Sequence, residues 1–144
     1  MNNVMDGWPR PPCAETLGWQ LLDADQARGW ARIGFIAAPA FLNPAGKIQG
    51  GFLAAMLDDT MGPPVLIHTE GKLFPTTITM SVHFLASAEA GPLIGEGTVV
   101  RLGRRIGFVE AVLMRADGVA VARASASVSL SPLNKIADGA YAAG

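Results

Sequence analysis

The sequence predicts an α+β fold in which one long buried helix packs against about five or six mostly antiparallel strands. The helix is predicted from FLAAML at residues 52–57, because six consecutive apolar residues leave a helix no solvated face. The strands are predicted from the second half of the chain, where segments rich in β-branched and aromatic residues alternate with short turns. Together these features indicate a sheet curled round a single helix.

The bounds of the helix follow from glycine and proline. It is expected to begin at the glycine pair 50–51, after the loop PAFLNPAGKIQ, which proline and glycine punctuate. It is expected to end or break at GPP, residues 62–64, because proline removes a donor and clashes with the preceding turn. Two adjacent carboxylates, Asp58 and Asp59, lie near its far end, although burying an ionised carboxylate is costly unless something compensates it.

The strands are predicted from periodicity and composition. The turns GRR and ADG separate the last three, and ADG is a typical hairpin signal. The expected strand segments are 19–23, 29–37, 76–86, 93–102, 106–115 and 119–130.

A chain of 144 residues fits one domain with a sizeable core. We expect residues 17–131 to form this domain, residues 1–16 to be a loose lead-in and residues 132–144 to be a flexible tail.

The composition argues against several classes of protein. A net charge of −1 gives no general attraction to nucleic acid or to a membrane surface. There is no signal-peptide pattern and no apolar run long enough to span a bilayer. The single Cys13 cannot form an internal disulfide, and no Cys/His cluster has zinc-ligand spacing. A cytoplasmic protein without metal or cofactor is expected.

One segment carries a resemblance to a known family. In NPAGKIQGGFLAAMLD, Asn43 precedes the triplet Gln49-Gly50-Gly51, and Asp58 is the ninth residue after Gln49. With the β-rich second half, this pattern resembles the PaaI-like hotdog-fold acyl-CoA thioesterases, over about residues 17–130. The family usually has histidine where this chain has Gln49. The resemblance implies a hotdog fold, an acyl-CoA substrate and a homodimer or a dimer of dimers.

The glycine pair suits thioester hydrolysis, which needs donors for a developing oxyanion. At the start of a helix the backbone N–H groups are unpaired and the dipole favours negative charge. Glycine also lets a thioester carbonyl approach the backbone closely. We therefore expect the Gly50 N–H to polarise the carbonyl, with Gly51 beside the substrate. The alternative is a loop-to-helix turn that simply needs two glycines.

Asp58 is the expected carboxylate of the site. The resemblance makes it the nucleophile or the general base, and Asp59, about 100° round the helix, is expected to have a structural role. Gly50 and Asp58 are eight residues apart, roughly 12 Å along one helix. Both must approach one reacting centre, so the site is expected to be shared between two chains with antiparallel helices.

The other candidate catalytic residues come from the resemblance. Asn43 matches a polar residue that holds the carbonyl or water, but an Asn-Pro turn former is an equal alternative. Gln49 can donate a hydrogen bond but cannot titrate as histidine does. Thr76 or Thr77 matches a hydroxyl residue that positions water, although threonine is common in strands.

The arginines and the histidines are the remaining groups of side chains with a possible function. Arg101, Arg104 and Arg105 form the densest positive patch and are candidates for binding the phosphates of coenzyme A, or are ordinary solvated charges. Of the two histidines, His83 is expected to be a strand side chain, and the position five residues after Asp58 holds proline, which disfavours a hotdog dehydratase.

The sequence therefore predicts an acyl-CoA thioesterase acting on a small aromatic or medium-chain acyl group. The alternative is a non-catalytic acyl-CoA-binding or regulatory hotdog protein, which Gln49 makes more plausible.

Overall fold

A computed structural model describes residues 3–133 of the chain. Within them, two α-helices and six strands follow one another along the chain. The elements are α1 Pro12–Leu17, β1 Gln20–Asp25, β2 Trp30–Ala37, a 3-10 turn at Pro39–Phe41, α2 Gly50–His68, β3 Leu73–Phe84, β4 Gly91–Leu102, β5 Ile106–Arg115 and β6 Ala120–Pro132.

The strands form one antiparallel sheet in the order β1-β2-β4-β5-β6-β3. Helix α2 packs against its inner face, and the core lies between them. Fully buried side chains from both layers fill this core, among them Phe35, Ile33, Met56, Leu57, Leu113 and Val109. The predicted α+β fold is confirmed. The six predicted strands are all present, with the largest difference in β3, which starts at Leu73.

Close packing of α2 on the sheet depends on two glycines in β4. A Cβ atom on Gly95 would meet the Thr60 hydroxyl, and one on Gly97 would meet the Thr60 carbonyl. Thr60 is fully buried and its hydroxyl donates to the carbonyl of Met56 at 2.7 Å. The missing side chains therefore let the helix backbone approach the strand and bury this polar residue.

The prediction that residues 62–64 end or break the helix is wrong, because α2 continues through Pro63 and Pro64 to His68. Pro63 removes the N–H that would donate to the carbonyl of Asp59, and the Trp19 indole Nε1 donates to that carbonyl instead, at 3.2 Å. Both prolines are buried, so packing against the sheet offsets the cost of the interrupted ladder.

The expectation that the helix has no solvated face is also wrong for the single chain. Gly51, Ala55 and Asp58 are exposed, and their spacing places them along one stripe of α2. The sheet covers the opposite side of the helix, so nothing within residues 3–133 covers this stripe.

The segment expected to be a loose lead-in contains α1, whose Ala14 and Leu17 are buried, and Met5 packs against the core. The division of the chain at residue 16 stays a prediction. Most of the expected tail, residues 134–144, lies outside the described residues. Over residues 3–133 no helix is long and apolar enough to cross a membrane.

Candidate active site

Asp58 lies on the exposed stripe of α2 and is held by a strand residue. The hydroxyl of Thr77, on β3, donates to Asp58 Oδ1 at 2.7 Å. Thr77 pairs with buried Val128 and so faces the helix, whereas Thr76 pairs with Ser129 and faces the other side of the sheet. The strand register therefore brings Thr77, rather than Thr76, to the carboxylate.

A cavity of about 570 Å³ opens beside Asp58, a volume within the range of ligand pockets. The helix α2, the start of β3 and the N-terminal segment enclose it. Its lining is largely apolar and aromatic, with Met5, Trp8, Pro11, Trp19, Met61, Leu66, Phe74 and Val128 among the contributing residues. Asp58, Asp59 and Thr77 supply polar side chains at its wall, Thr76 also borders it, and Arg10 supplies a charge.

The other candidates lie at the start of α2. The backbone N–H groups of Phe52 and Leu53 both donate to the carbonyl of Gln49. The N–H groups of Gly50 and Gly51 find no acceptor among residues 3–133. Two donors at the positive end of the helix dipole are thus available to an anion or a carbonyl oxygen.

Gln49 is the N-cap residue of α2, but its side chain makes no cap hydrogen bond. The side chain is exposed and folds over Gly51, where its Oε1 lies 2.7 Å from the position that a Cβ atom would occupy. Gly51 therefore gives the glutamine amide room beside the two free donors.

Asn43 organises the loop that leads into α2. Its Oδ1 accepts from the N–H of Ala45 at 2.9 Å and from that of Lys47 at 3.1 Å. Its own N–H donates to the carbonyl of Lys47 at 2.7 Å. These contacts are those of the turn former, and the role on the substrate carbonyl stays a prediction.

The structure brings Asp58 and Thr77 together but leaves Asn43, Gln49 and Gly50 at the other end of the helix. Gly50 and Asp58 are eight residues apart on one continuous helix, about 12 Å along its axis. The cavity beside Asp58 is not lined by Gly50. At this separation the Gly50 N–H and the Asp58 carboxylate of a single chain are too far apart to contact the same thioester group.

All three arginines are exposed; Arg101 lies near the end of β4, and Arg104 and Arg105 lie in the β4–β5 turn. The N–H of Leu130 donates to the carbonyl of Arg105, and Leu130 pairs with Pro75 at the start of β3. The patch therefore lies at the same end of the sheet as the Asp58 cavity, two strands away from β3.

The two histidines lie away from this cavity. His68 Nδ1 contacts the carbonyl of Gln26 at 2.8 Å, and His83 is on the outer face of the sheet, opposite Arg123. Among residues 3–133 no group of three His, Cys, Asp or Glu side chains could hold a metal ion.

The carboxyl group of Asp59 has a raised pKa, which the sequence did not predict. It is half-buried in the cavity wall, and burial, followed by the negative charge of Asp58, raises the pKa of its carboxyl to about 6. Both causes disfavour the ionised form. Adjacent acidic residues were the only signal in the sequence, and they did not indicate which carboxylate the fold would bury.

This pKa predicts a pH-dependent gain in stability for Asp59→Asn. The folded pKa lies above the reference value of 3.8, so the folded state holds the proton more tightly and wild-type stability falls as the pH rises from about 4 to 6. Partial solvent contact reduces the penalty, so we expect the variant to be roughly 1–2 kcal/mol more stable at pH 7.5. Urea unfolding of both proteins at pH 4 and pH 7.5 measures the difference in their free energy of unfolding. If that difference were the same at both pH values, the raised pKa of Asp59 would be contradicted.

Comparisons with known proteins agree with this architecture. The sequence model of the thioesterase superfamily matches residues 45–122. No curated protein matches the sequence. A phenylacetic acid degradation-related protein of Ralstonia eutropha JMP134 is 36% identical, with 88% of this chain and 95% of that chain covered and a TM-score of 0.82.

Two more distant structures share the fold. The PaaI protein from the phenylacetic acid degradation operon of E. coli is 20% identical, with 88% and 89% of the two chains covered and a TM-score of 0.77. The Streptococcus mutans UA159 protein smu.793, solved with acetyl-CoA bound, is 19% identical, with coverage of 79% and 89% and a TM-score of 0.70.

The fold and the site define a hotdog protein with a carboxylate beside an apolar cavity. The chain belongs to the thioesterase superfamily and is a PaaI-like thioester hydrolase. The predictions of family, fold and enzyme class are confirmed, and the roles of individual site residues stay predictions.

Proposed function

We propose that this thioesterase hydrolyses acyl-CoA with a small aromatic or medium-chain acyl group, at a site that two copies of the chain share. Asp58 acts as nucleophile or general base, and the Gly50 N–H stabilises the oxyanion. One observation carries the proposal: a carboxylate oriented by Thr77 lies beside an apolar cavity, while the free N–H donors lie at the far end of the same helix.

The chemistry follows from these groups. Within residues 3–133 Thr77 alone donates to the Asp58 side chain, and it binds Oδ1, so Oδ2 is available to a water molecule or to the thioester carbon. As general base, Asp58 takes a proton from water as the water oxygen bonds to the carbonyl carbon. As nucleophile, it forms an anhydride that water then opens. In both cases the carbon–sulfur bond breaks and the CoA thiolate leaves and takes a proton.

A second copy of the chain can complete the site by a simple geometry. Gly50 lies against the Phe84 ring at one end of β3, and Asp58 bonds Thr77 nearer the other end. If β3 of two copies pairs antiparallel about residues 80–81, Thr77 of one copy comes opposite Phe84 of the other. Asp58 of each copy is then brought toward Gly50 of the other copy.

The free edge of β3 favours this pairing. Among the described strands β3 pairs only with β6, so its other edge has unpaired N–H and C=O groups. Two apolar side chains of this edge strand, Ile78 and Phe84, are 52% and 55% exposed. A second copy would cover both the edge and these side chains.

The arginine patch fits the nucleotide part of coenzyme A. Arg104 and Arg105 are exposed at the end of the sheet that holds the Asp58 cavity, and arginine binds phosphate groups through several donors. The acetyl-CoA bound to the Streptococcus mutans protein supports a CoA substrate for the same fold. The exposed amide of Gln49 supplies a donor beside Gly50 that stays neutral at every pH.

One observation favours the alternative, a hotdog protein that binds acyl-CoA without hydrolysing it. Gln49 stands where the resembling family has histidine, and this substitution leaves the donor end of the site without a titratable side chain.

A hydrolysis panel tests the function. Purified protein is incubated with acetyl-, octanoyl-, benzoyl- and phenylacetyl-CoA, and the released thiol is measured. We expect turnover with at least one aromatic or medium-chain substrate and a higher KM for the matching acyl-pantetheine, which lacks the nucleotide. Tight binding of acyl-CoA without thiol release would establish the alternative instead.

A further inference from the structure

Gly62 occupies an unusual place in α2. It lies four residues after Asp58, so both residues are on the same face of the helix, and it lines the same cavity. Apart from its chain neighbours and the adjacent helix backbone, a Cβ atom on Gly62 would meet no atom of residues 3–133 within 4 Å. No contact with another described element therefore requires glycine here, in contrast to Gly95 and Gly97, where a Cβ atom would clash with Thr60.

This glycine has a cost for the fold. In the interior of a helix glycine is less favourable than alanine by about 0.5–1 kcal/mol, because it loses more backbone freedom on folding. Pro63 offsets part of this cost, because a Cβ atom on the residue before proline is disfavoured in the helical conformation. Because Gly62 has no side chain, the cavity leaves room for another molecule against the helix at this point.

The cavity extends from Asp58 along α2 and away from Gly50. Gly62 and Leu66 follow Asp58 on successive turns, about 6 Å and 12 Å along the axis, and both line the cavity. The facing wall comes from the N-terminal segment, with Trp8 and Cys13 among its residues. A thioester carbonyl placed at Asp58 would therefore direct its acyl group over Gly62.

We propose that Gly62 determines acyl specificity, because the acyl group of the substrate lies against it, between α2 and the N-terminal segment. The inference rests on the proposed function and adds the place and direction of the acyl group. The acyl group must be apolar, since both walls of the cavity are largely apolar. It must also extend beyond the α-carbon in order to reach Gly62, where the helix has no side chain.

The graded variants Gly62→Ala and Gly62→Leu test this inference. We expect Gly62→Leu to lower kcat/KM for phenylacetyl- or octanoyl-CoA at least about tenfold and to change that for acetyl-CoA about threefold at most. Gly62→Ala should lie between the wild type and Gly62→Leu, and thermal unfolding of both variants checks that each is folded. Equal losses for short and long acyl groups would overturn the inference, as would a long-chain activity unaffected by leucine.

A binding measurement separates this inference from the proposed hydrolysis. Cys13 is the only cysteine of the chain, is exposed and lines the facing wall. A CoA thioether that carries a phenyl group should slow alkylation of Cys13 in the wild type and much less in Gly62→Leu, whether or not any thioester is hydrolysed. Equal protection in both proteins, or none in the wild type, would contradict the placement.

The oligomeric state of Gly62→Leu provides the last control. If a second copy of the chain, rather than an acyl group, filled the space over Gly62, leucine would weaken the dimer. We expect the variant to elute from a sizing column as the wild type does, and dissociation into monomers would overturn the inference.

Discussion

Asp58→Asn is expected to hydrolyse acyl-CoA at least about a hundredfold more slowly than the wild type, in line with loss of a nucleophile or general base. The amide cannot take a proton from water or attack the thioester carbon. Its Oδ1 can still accept the hydrogen bond that Thr77 donates at 2.7 Å, so the local structure should be retained. The measurement is kcat from the rate of thiol release under saturating substrate.

The neighbouring residue provides the matched control. Asp59→Asn makes the same chemical change one position further along α2, on a carboxylate that is half-buried and has a raised pKa. Its effect on kcat should be much smaller. Equal losses in the two variants, or the larger loss in Asp59→Asn, would contradict the assignment of Asp58.

Gly50→Pro is expected to lower kcat about a hundredfold to a thousandfold, the range for loss of one oxyanion donor. Gly50 is the first residue of α2, a position that proline favours, and the preceding Gln49 has an extended backbone with ψ of 139°, which proline requires. The substitution thus removes the N–H and leaves the helix start intact. Activity assays with a thermal unfolding curve separate a lost donor from a lost fold.

Gly50→Ala is the control for added bulk. It keeps the N–H, and its Cβ would lie 3.3 Å from the Phe84 ring, a close contact that a small shift of the ring relieves. We expect it to retain far more activity than Gly50→Pro. If both variants lost activity to the same extent, crowding rather than the missing donor would be responsible.

Much of the fold could be predicted because local signals agreed. Segments of β-branched and aromatic residues gave the strands, and the apolar run beside the glycine pair gave α2 and its start. The end of α2 could not be predicted, because Pro63 is a strong local stop signal. What overrides it is a tertiary contact, the hydrogen bond from the Trp19 indole, forty residues away in the sequence, to the carbonyl of Asp59.

The sequence predicted which residues form the candidate site better than it predicted the contacts that they make. Spacing from the glycine pair singled out Asp58, but the choice between Thr76 and Thr77 depended on a strand register that the sequence does not determine. The turn contacts of Asn43 were one of two open alternatives. The N-terminal wall of the cavity was missed, because a stretch rich in proline and polar residues gives no periodic signal.

The central claim is that each site combines Gly50 of one chain with Asp58 of another, and refolding two inactive variants together tests it most directly. Asp58→Asn and Gly50→Pro are unfolded, mixed in equal amounts and refolded, and subunit exchange is verified with a mass tag on one variant. In each mixed dimer one site carries both changes and the other carries neither. Random pairing makes about half the dimers mixed, so about a quarter of wild-type activity should return under two-fold symmetry. If subunits exchange and the mixture is no more active than its parents, each site is built within one chain and the account is wrong.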